Sequence, residues 1–367
     1  MADLAIADTP EALTTEWLTD ALQAAGRLGD ARIADASIRP LGTGQMCDSV
    51  RISLRYDGET DAPTSVVAKL PAADPTSRAT AVSLRSYEKE VRFYQEIAPH
   101  LPVLTPTVFH ADIEPVSASF VLLLEDLAPA EQGDQLLGCT PEVATSAVDG
   151  LVALHAPRWG DPSILDIEWL AGDPQTSRQF MAMLLPTLWD GFRERYAADL
   201  QPSVLEAGEA LFADLAAYLN WPESMPLTIV HGDYRLDNLL FDPTGQLRGV
   251  VDWQTVTVGG AVQDVAYFIG AGLREEDRRP NEEALVRRYH AALVEAGVAD
   301  YGWDDCWWGY RRATFAGLIM AIAASMLVEQ TERGDEMFLT MASRHSRHAL
   351  DLGAPDLIAV ATAPSGS

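Results

Sequence analysis

The segment from Leu227 to Asp252 constrains this chain most. Leu227-Thr228-Ile229-Val230 is a short, mostly apolar run that reads as a buried strand, and it leads directly into His231-Gly232-Asp233-Tyr234-Arg235-Leu236-Asp237-Asn238. Leu239-Leu240-Phe241 reads as a second short strand. Asp242-Pro243-Thr244-Gly245 has turn chemistry, and Leu247 to Val251 returns as a third strand. Such a hairpin carries Asp252 back beside the loop that bears Asp233 and Asn238, so three oxygen-bearing side chains enter one small volume from separate backbone anchors.

Asp233 and Asn238 stand five residues apart, the D-x-x-x-x-N spacing of a kinase catalytic loop. There the Asp orients an acceptor hydroxyl and takes its proton, and the Asn holds magnesium. Asp252 then stands where the second metal-binding carboxylate belongs. A transferring phosphoryl group carries diffuse negative charge, so the protein contributes positioning and compensating positive charge more than covalent chemistry. Arg235 either neutralises charge beside this loop or makes a structural ion pair.

The HGDxxxxN block, the Val251-Asp252-Trp253-Gln254 block and the later Asp264-Val265-Ala266-Tyr267 resemble the aminoglycoside phosphotransferase and choline kinase superfamily over most of the chain, the Asp-Trp-Gln form resembling its ecdysteroid-kinase-like (CHK kinase-like) branch. The resemblance implies an α+β, bilobal protein-kinase-like fold with a small antiparallel-sheet N-lobe and a mainly helical C-lobe. It implies ATP and Mg2+ as cofactors and a support role for His231 and Asp264 behind the catalytic loop; local capping of its own helix is the other reading of Asp264. Many aminoglycoside kinases carry an acidic residue where Gln254 stands. A neutral Gln is a poor magnesium ligand, so the departure speaks against an antibiotic-kinase assignment and leaves the phosphotransferase reading intact.

At 367 residues and 48% hydrophobic content the chain can bury a large core, enough for two lobes: residues 1–125 as an N-terminal helix plus nucleotide-binding lobe, and 126–367 as a helical lobe with the catalytic loop and acceptor site. A net charge of -28 opposes binding to nucleic acid or anionic membrane. Cys47, Cys139 and Cys306 are an odd number without short spacing, which argues against a disulfide framework or a Cys-based zinc motif. The start lacks a cationic leader and no apolar run spans a bilayer, so a cytoplasmic location is expected. No feature sets an oligomeric state.

Lysine usage is sharper than net charge. Lys69 and Lys89 are the only lysines, every other strong base being Arg, and Lys69 ends the apolar run Val66-Val67-Ala68. A slim ammonium on a third strand is the kinase device for the α and β phosphates. Lys89 reads as a solvated helix residue. Upstream, Gly42-Thr43-Gly44 lies between two expected strands, Ile33–Leu41 and Val50–Tyr56, either as a phosphate-approaching loop or as an ordinary hairpin turn. Thr9-Pro10-Glu11 is expected to open a helix reaching about Ala25. Arg85 to Ile97 is helical by periodicity. Of its acids, Glu90 matches the resembling pattern of an aromatic three residues earlier and would pair with Lys69, with Glu88 as the alternative. Phe120 to Leu124 is an apolar strand ending in Glu125-Asp126-Leu127, similar to the kinase hinge, where the backbone of Glu125 and Leu127 would meet adenine.

Long helices are expected at Pro141–His155, Ser177–Ala198 and Ser203–Leu219; His155 in Leu154-His155-Ala156 resembles a recurring feature of the family, the preferred reading being a helix-end histidine satisfied by backbone groups. Trp303, Trp307, Trp308, Tyr310, Arg311 and Arg312 cluster in the region expected to face the acceptor, at a spacing that also suits a core stripe. Asp264 follows Asp252 by only twelve residues, and no Ala-Pro-Glu-like anchor is present. A protein kinase needs a longer segment to hold a peptide, which leaves a small hydroxylated molecule as the preferred acceptor. A non-catalytic nucleotide-binding protein and an atypical protein kinase are the alternatives.

Overall fold

A computed structural model of the chain describes residues 4–42, 46–220 and 225–360. It divides into two compact units. Unit 1 comprises residues 1–100, 105–129 and 251–255, and unit 2 comprises 101–104, 130–250 and 256–367. Beside the expected cut after residue 125, the first unit runs to Pro129, Leu101–Leu104 falls in unit 2, and Val251–Thr255 falls in unit 1.

Unit 1 is built on one antiparallel sheet of β1 (Ile33–Pro40), β2 (Cys47–Tyr56), β3 (Ser65–Pro71), β4 (Val108–Glu114) and β5 (Ser119–Glu125), in the order β1-β2-β3-β5-β4. The unbroken apolar run Phe120–Leu124 suits the interior strand β5, and all five of its side chains are buried. In the β3–β5 register Lys69 lies opposite Leu122. Helix α1 (Thr15–Ala24) places Trp17, Leu18 and Leu22 in the same core as Ile52, Val66 and Leu123. Its start is Thr15 rather than Thr9. Pro10–Ala12 form one separate 3-10 turn, and the Thr14 hydroxyl caps the helix by accepting from the Trp17 N–H at 3.2 Å. Helices α2 (Pro75–Ser83) and α3 (Ser86–Arg92) follow, α3 continuing as a π-turn over Phe93–Ile97. Lys89 of α3 is half-buried, against the expectation of a solvated face, and burial pushes its ammonium below the usual lysine value.

Unit 2 contains the strand β6 (Glu131–Gln132), β7 (Leu227–Val230), the hairpin of β8 (Leu239–Phe241) and β9 (Leu247–Val250), and β10 (Thr257–Gly260). β6, β8 and β9 form one antiparallel sheet; β7 pairs with β10 in another. Its helices are α4 (Pro141–His155), α5 (Glu168–Ala171), α6 (Pro174–Arg195), α7 (Pro202–Ala213), α8 (Leu215–Leu219), α9 (Val262–Gly272), α10 (Glu275–Glu295), α11 (Trp303–Ala313), α12 (Ala316–Leu327) and α13 (Glu332–Asp351). The single helix expected over 203–219 is interrupted at Asp214, whose φ of -142° leaves the helical region and whose carboxylate caps α8. Tyr267 of α9 shares a core with Phe315 and Leu318 from the chain entering and within α12, and with Met337 and Met341 of α13. Among the described residues no helix is long and apolar enough to cross a membrane.

Candidate active site

In unit 1 the end of β3 delivers Lys69 into a buried position between two carboxylates. Its Nζ lies 2.6 Å from Glu90 Oε1 and 2.9 Å from Asp252 Oδ1. Burial by itself would depress this ammonium, but the carboxylates of Asp252 and Glu90 outweigh it and hold the group well above the ordinary lysine value. Lys69 is therefore a fixed cation. Glu90 is fully buried and also accepts from the Trp253 N–H at 3.2 Å and from Gln254 Nε2 at 3.3 Å. Of the two acids offered for pairing with Lys69, Glu90 makes the contact, while Glu88 is engaged with Arg85 and Arg92.

The geometry also explains the sequence around Asp252. Trp253 stacks on Phe93 with centroids 3.7 Å apart and planes 11° from parallel, both rings being buried. Asp252 has φ +67°, a left-handed conformation that Asp tolerates better than most residues and that turns the chain directly after β9. Gln254 uses its amide on Glu90, so its neutrality has a structural role: an acid there would face a buried carboxylate. Beside them, burial pushes the Cys47 thiol up to about 12, which keeps it protonated and inert.

Gly42 takes φ +75° with open space around a built Cβ, so the constraint there is conformational. Thr43 and Gly44 lie outside the described residues. At the expected hinge, the Glu125 N–H donates to Thr107 O at 2.8 Å and its carboxylate accepts from the Thr107 hydroxyl at 2.6 Å; Leu127 is half-buried.

In unit 2 the loop after β7 is held from behind. Asp264 Oδ2 accepts from the His231 N–H at 2.7 Å and Oδ1 from the Gly232 N–H at 2.9 Å. His155 Nε2 lies 3.3 Å from the same carboxylate, and His155 Nδ1 is 2.7 Å from the Tyr289 hydroxyl. Burial pushes the Asp264 carboxyl up, but the hydrogen bond and charge of His155, with further help from His231 and the Gly232 N–H, leave it below the usual value. Local capping of α9 is thus replaced by a tertiary clamp, since the Ala261 cap position receives no side-chain bond. His155, expected to be satisfied by backbone groups, is satisfied by two side chains.

Asp233 sits at the centre of this loop. Its Oδ1 accepts from the Tyr267 hydroxyl at 2.6 Å, and its Oδ2 accepts from Asn238 Nδ2 at 2.9 Å and from Arg235 Nε at 3.1 Å. Arg235 also pairs closely with Asp237. Although burial opposes its charge, Asp233 and Asp237 hold the guanidinium above its ordinary value, so both readings of Arg235 meet in one ion pair beside the loop. A strap preceding α4 fixes the far side: Gln135 Oε1 accepts from the Leu236 N–H at 2.9 Å, and the Gln135 N–H donates to Asp237 Oδ1 at 3.0 Å.

Each unit, taken by itself, offers a hard oxygen donor of the kind that suits magnesium. In unit 2 Asn238 spends its Nδ2 on the side-chain and main-chain oxygens of Asp233, so the amide oxygen is the atom it could offer a cation; in unit 1 the Asp252 carboxylate is 35% exposed. Among the described residues no group of three or more His, Cys, Asp or Glu side chains is placed to hold a metal.

Residues 51–313 match the model of the phosphotransferase enzyme family, APH. The chain belongs to this family. It is a phosphotransferase, and its kinase-like fold is shared with the microcompartment-associated aminopropanol kinase at a TM-score of 0.52 and 14% identity, covering 93% of this chain and 99% of that one. Two curated relatives are the mouse (Mus musculus) acyl-CoA dehydrogenase family member 10, 41% identical over 68 residues, or 18% of this chain and 6% of that protein, and the homoserine kinase of Caulobacter sp. (strain K31), 27% identical over 126 residues, or 33% and 38%. The matched stretches thus span well under half the length of these relatives.

In the region expected to face the acceptor, the packing favours the core-stripe reading. Trp303, Trp307 and Tyr310 stack in a ladder with centroids 5.5 and 5.4 Å apart, and Arg287 lies 3.9 Å above Trp303. Arg311 donates to Leu352 O at 2.8 Å, and Arg312 donates to Ala217 O and Tyr218 O at 2.9 Å each. The arginines are spent on carbonyls, so this cluster joins helices. Tyr267 was missed as a site residue, although its place three positions after Asp264 on a helix puts both side chains on one face.

Proposed function

We propose that the chain is an ATP- and magnesium-dependent phosphotransferase that moves the γ-phosphoryl group to a hydroxyl of a small molecule, with Asp233 as the catalytic base. The observation that carries this reading is Lys69, a buried cation held charged between Glu90 and Asp252. A protein with two lysines that fixes one of them in this way is prepared for an anionic ligand, and the family supplies the phosphate.

In this reading Lys69 contacts the α and β phosphates, Gly42 to Gly44 lie along them, and the backbone of Glu125 and Leu127 meets adenine. Asn238 and Asp252 are the magnesium ligands; the bound ion supplies positive charge to the phosphates. Asp233 accepts the hydrogen bond of the acceptor hydroxyl and takes its proton as the bond from oxygen to phosphorus forms. Arg235 keeps the loop neutralised, and His231 and Asp264 hold its backbone. The names of the relatives, a homoserine kinase and an aminopropanol kinase among them, favour a small alcohol over a protein acceptor, and the acyl-CoA dehydrogenase name adds hydroxyacyl thioesters to the candidates. The free, buried Cys47 and Cys306 suit the cytoplasm.

The test is an ADP-release screen over aminoglycosides, choline-like amines, sterols and hydroxyacyl thioesters, with Asp233→Ala as the blank. Turnover of the responding acceptor should fall by about 10²–10⁴ in that variant. Near-normal ATP-dependent phosphorylation by Asp233→Ala would remove Asp233 from the role.

A further inference from the structure

The two oxygens of the Asp233 carboxylate are held from different elements. Arg235 and Asn238, both in the loop itself, donate to Oδ2, whereas Oδ1 is met by the Tyr267 hydroxyl of α9. A terminal carboxylate torsion is intrinsically broad. Anchoring one oxygen still leaves the group free to rock; anchoring both fixes its plane.

The mounting of Tyr267 is itself rigid. Its ring is buried and lies against His345 of α13, with centroids 5.3 Å apart and planes 15° from parallel. His345 is fully buried, and a Cβ on Gly317 of α12 or Gly270 of α9 would overlap its ring. Three helices therefore converge to seat one phenol. Burial, together with the adjacent Asp233, pushes that phenol well above the ordinary tyrosine value, so it serves as a donor. Burial pushes His345 well below the ordinary histidine value, so its contribution to the stack is shape and not charge.

Resting on the assignment of Asp233 as the base, we propose that Tyr267 is a positioning residue that fixes the plane of the Asp233 carboxylate toward the acceptor hydroxyl. Asp264 and Tyr267, one helical turn apart, then divide the work: the first sets the loop's main chain and the second sets its reactive side chain.

Tyr267→Phe tests this in the full-length protein, because it keeps the ring on His345 and removes only the oxygen. With Mg-ATP as the probe and water as acceptor, ADP release should show kcat lowered about tenfold or more, since small misplacements of a reacting group cost up to about 10²-fold. KM for ATP should stay within about twofold and the melting temperature within a few degrees. A wild-type kcat in Tyr267→Phe overturns the proposal, as does a loss of kcat accompanied by an equal rise in KM and a collapse of the melting transition. A second readout needs no turnover: the wild-type protein should show a downfield hydroxyl proton in its NMR spectrum that disappears in Tyr267→Phe and moves in Asp233→Asn. If the wild-type protein releases no ADP with water or with any acceptor of the screen, the proposed function fails, and the NMR signal alone decides the positioning role, its absence overturning it.

Discussion

Asp264 gives the sharpest quantitative test of how the loop is held. The carboxylate is 1% exposed and accepts two main-chain N–H groups, at 2.7 and 2.9 Å, and stands 3.3 Å from His155 Nε2. Asp264→Ala leaves both N–H groups buried without an acceptor, and each such orphan costs about 1–3 kcal/mol. The expected loss is about 4 kcal/mol, a large part of the roughly 5–15 kcal/mol that keeps a protein folded. Asp264→Asn retains one acceptor oxygen but turns an amide donor toward the second N–H, so about 2 kcal/mol should be lost. Two assays read the effect. Urea unfolding gives the total, and amide hydrogen exchange of a peptide spanning His231 and Gly232 gives the local part, where 4 kcal/mol corresponds to about a thousandfold faster exchange at 1.4 kcal/mol per tenfold. The pH dependence follows from the depressed carboxyl of Asp264. A group whose folded value lies below its unfolded value stabilises fully above the latter, and the benefit disappears as pH falls through the former. The difference between wild type and Asp264→Ala should therefore be constant from pH 8 to about 5 and shrink below about 4. A loss under about 1 kcal/mol, or unchanged exchange at His231 and Gly232, would refute the clamp.

Two further substitutions probe the surroundings. Gln254→Glu sets a second carboxylate against buried Glu90; the new acid acquires a raised folded value, so the variant should be destabilised by about 1–3 kcal/mol at pH 8 and recover toward pH 4, as thermal melts across that range would reveal. A pH-independent penalty would mean that Gln254 acts through shape alone. Gly317→Ala drives a methyl into the His345 ring and should cost about 1–3 kcal/mol by urea unfolding, with a fall in turnover because Tyr267 is displaced; a neutral outcome would show that α12 and α13 yield easily.

What could be read from the chain was local or compositional. His231 to Asp252 is contiguous, so its strands, turn and loop follow from short-range pattern, and the observed β7, β8 and β9 differ from the expected spans only in leaving Val251 outside the last strand. Lys69 stood out because the chain is nearly free of lysine, and Glu90 because the family resemblance places an aromatic three residues before the acid; the structure buries both Tyr87 and Glu90. The contacts that were not legible join residues far apart in sequence. His155 meets Asp264 across 109 positions and Gln135 meets Leu236 across 101, and no periodicity encodes such a meeting. The Trp303 cluster follows the core stripe that its helical spacing suggests, but the carbonyls that take up Arg311 and Arg312 are supplied only by the tertiary packing. The break at Asp214 was hidden because the residues around it are good helix formers, and the cap it provides to α8 outweighs continuity.

The inclusion of Val251–Thr255 in unit 1 has a consequence for how the protein is made. Glu90 takes two of its donors, and Phe93 its stacking partner, from a segment that leaves the ribosome long after Pro129. At roughly 5–20 residues per second the delay is on the order of ten seconds. The usual order, in which an N-terminal unit folds before its successor is synthesised, cannot complete here. Until then the nascent N-terminal unit lacks Asp252 beside Lys69 and the donors of Trp253 and Gln254 on Glu90, and a truncated chain of residues 1–129 would lack them permanently.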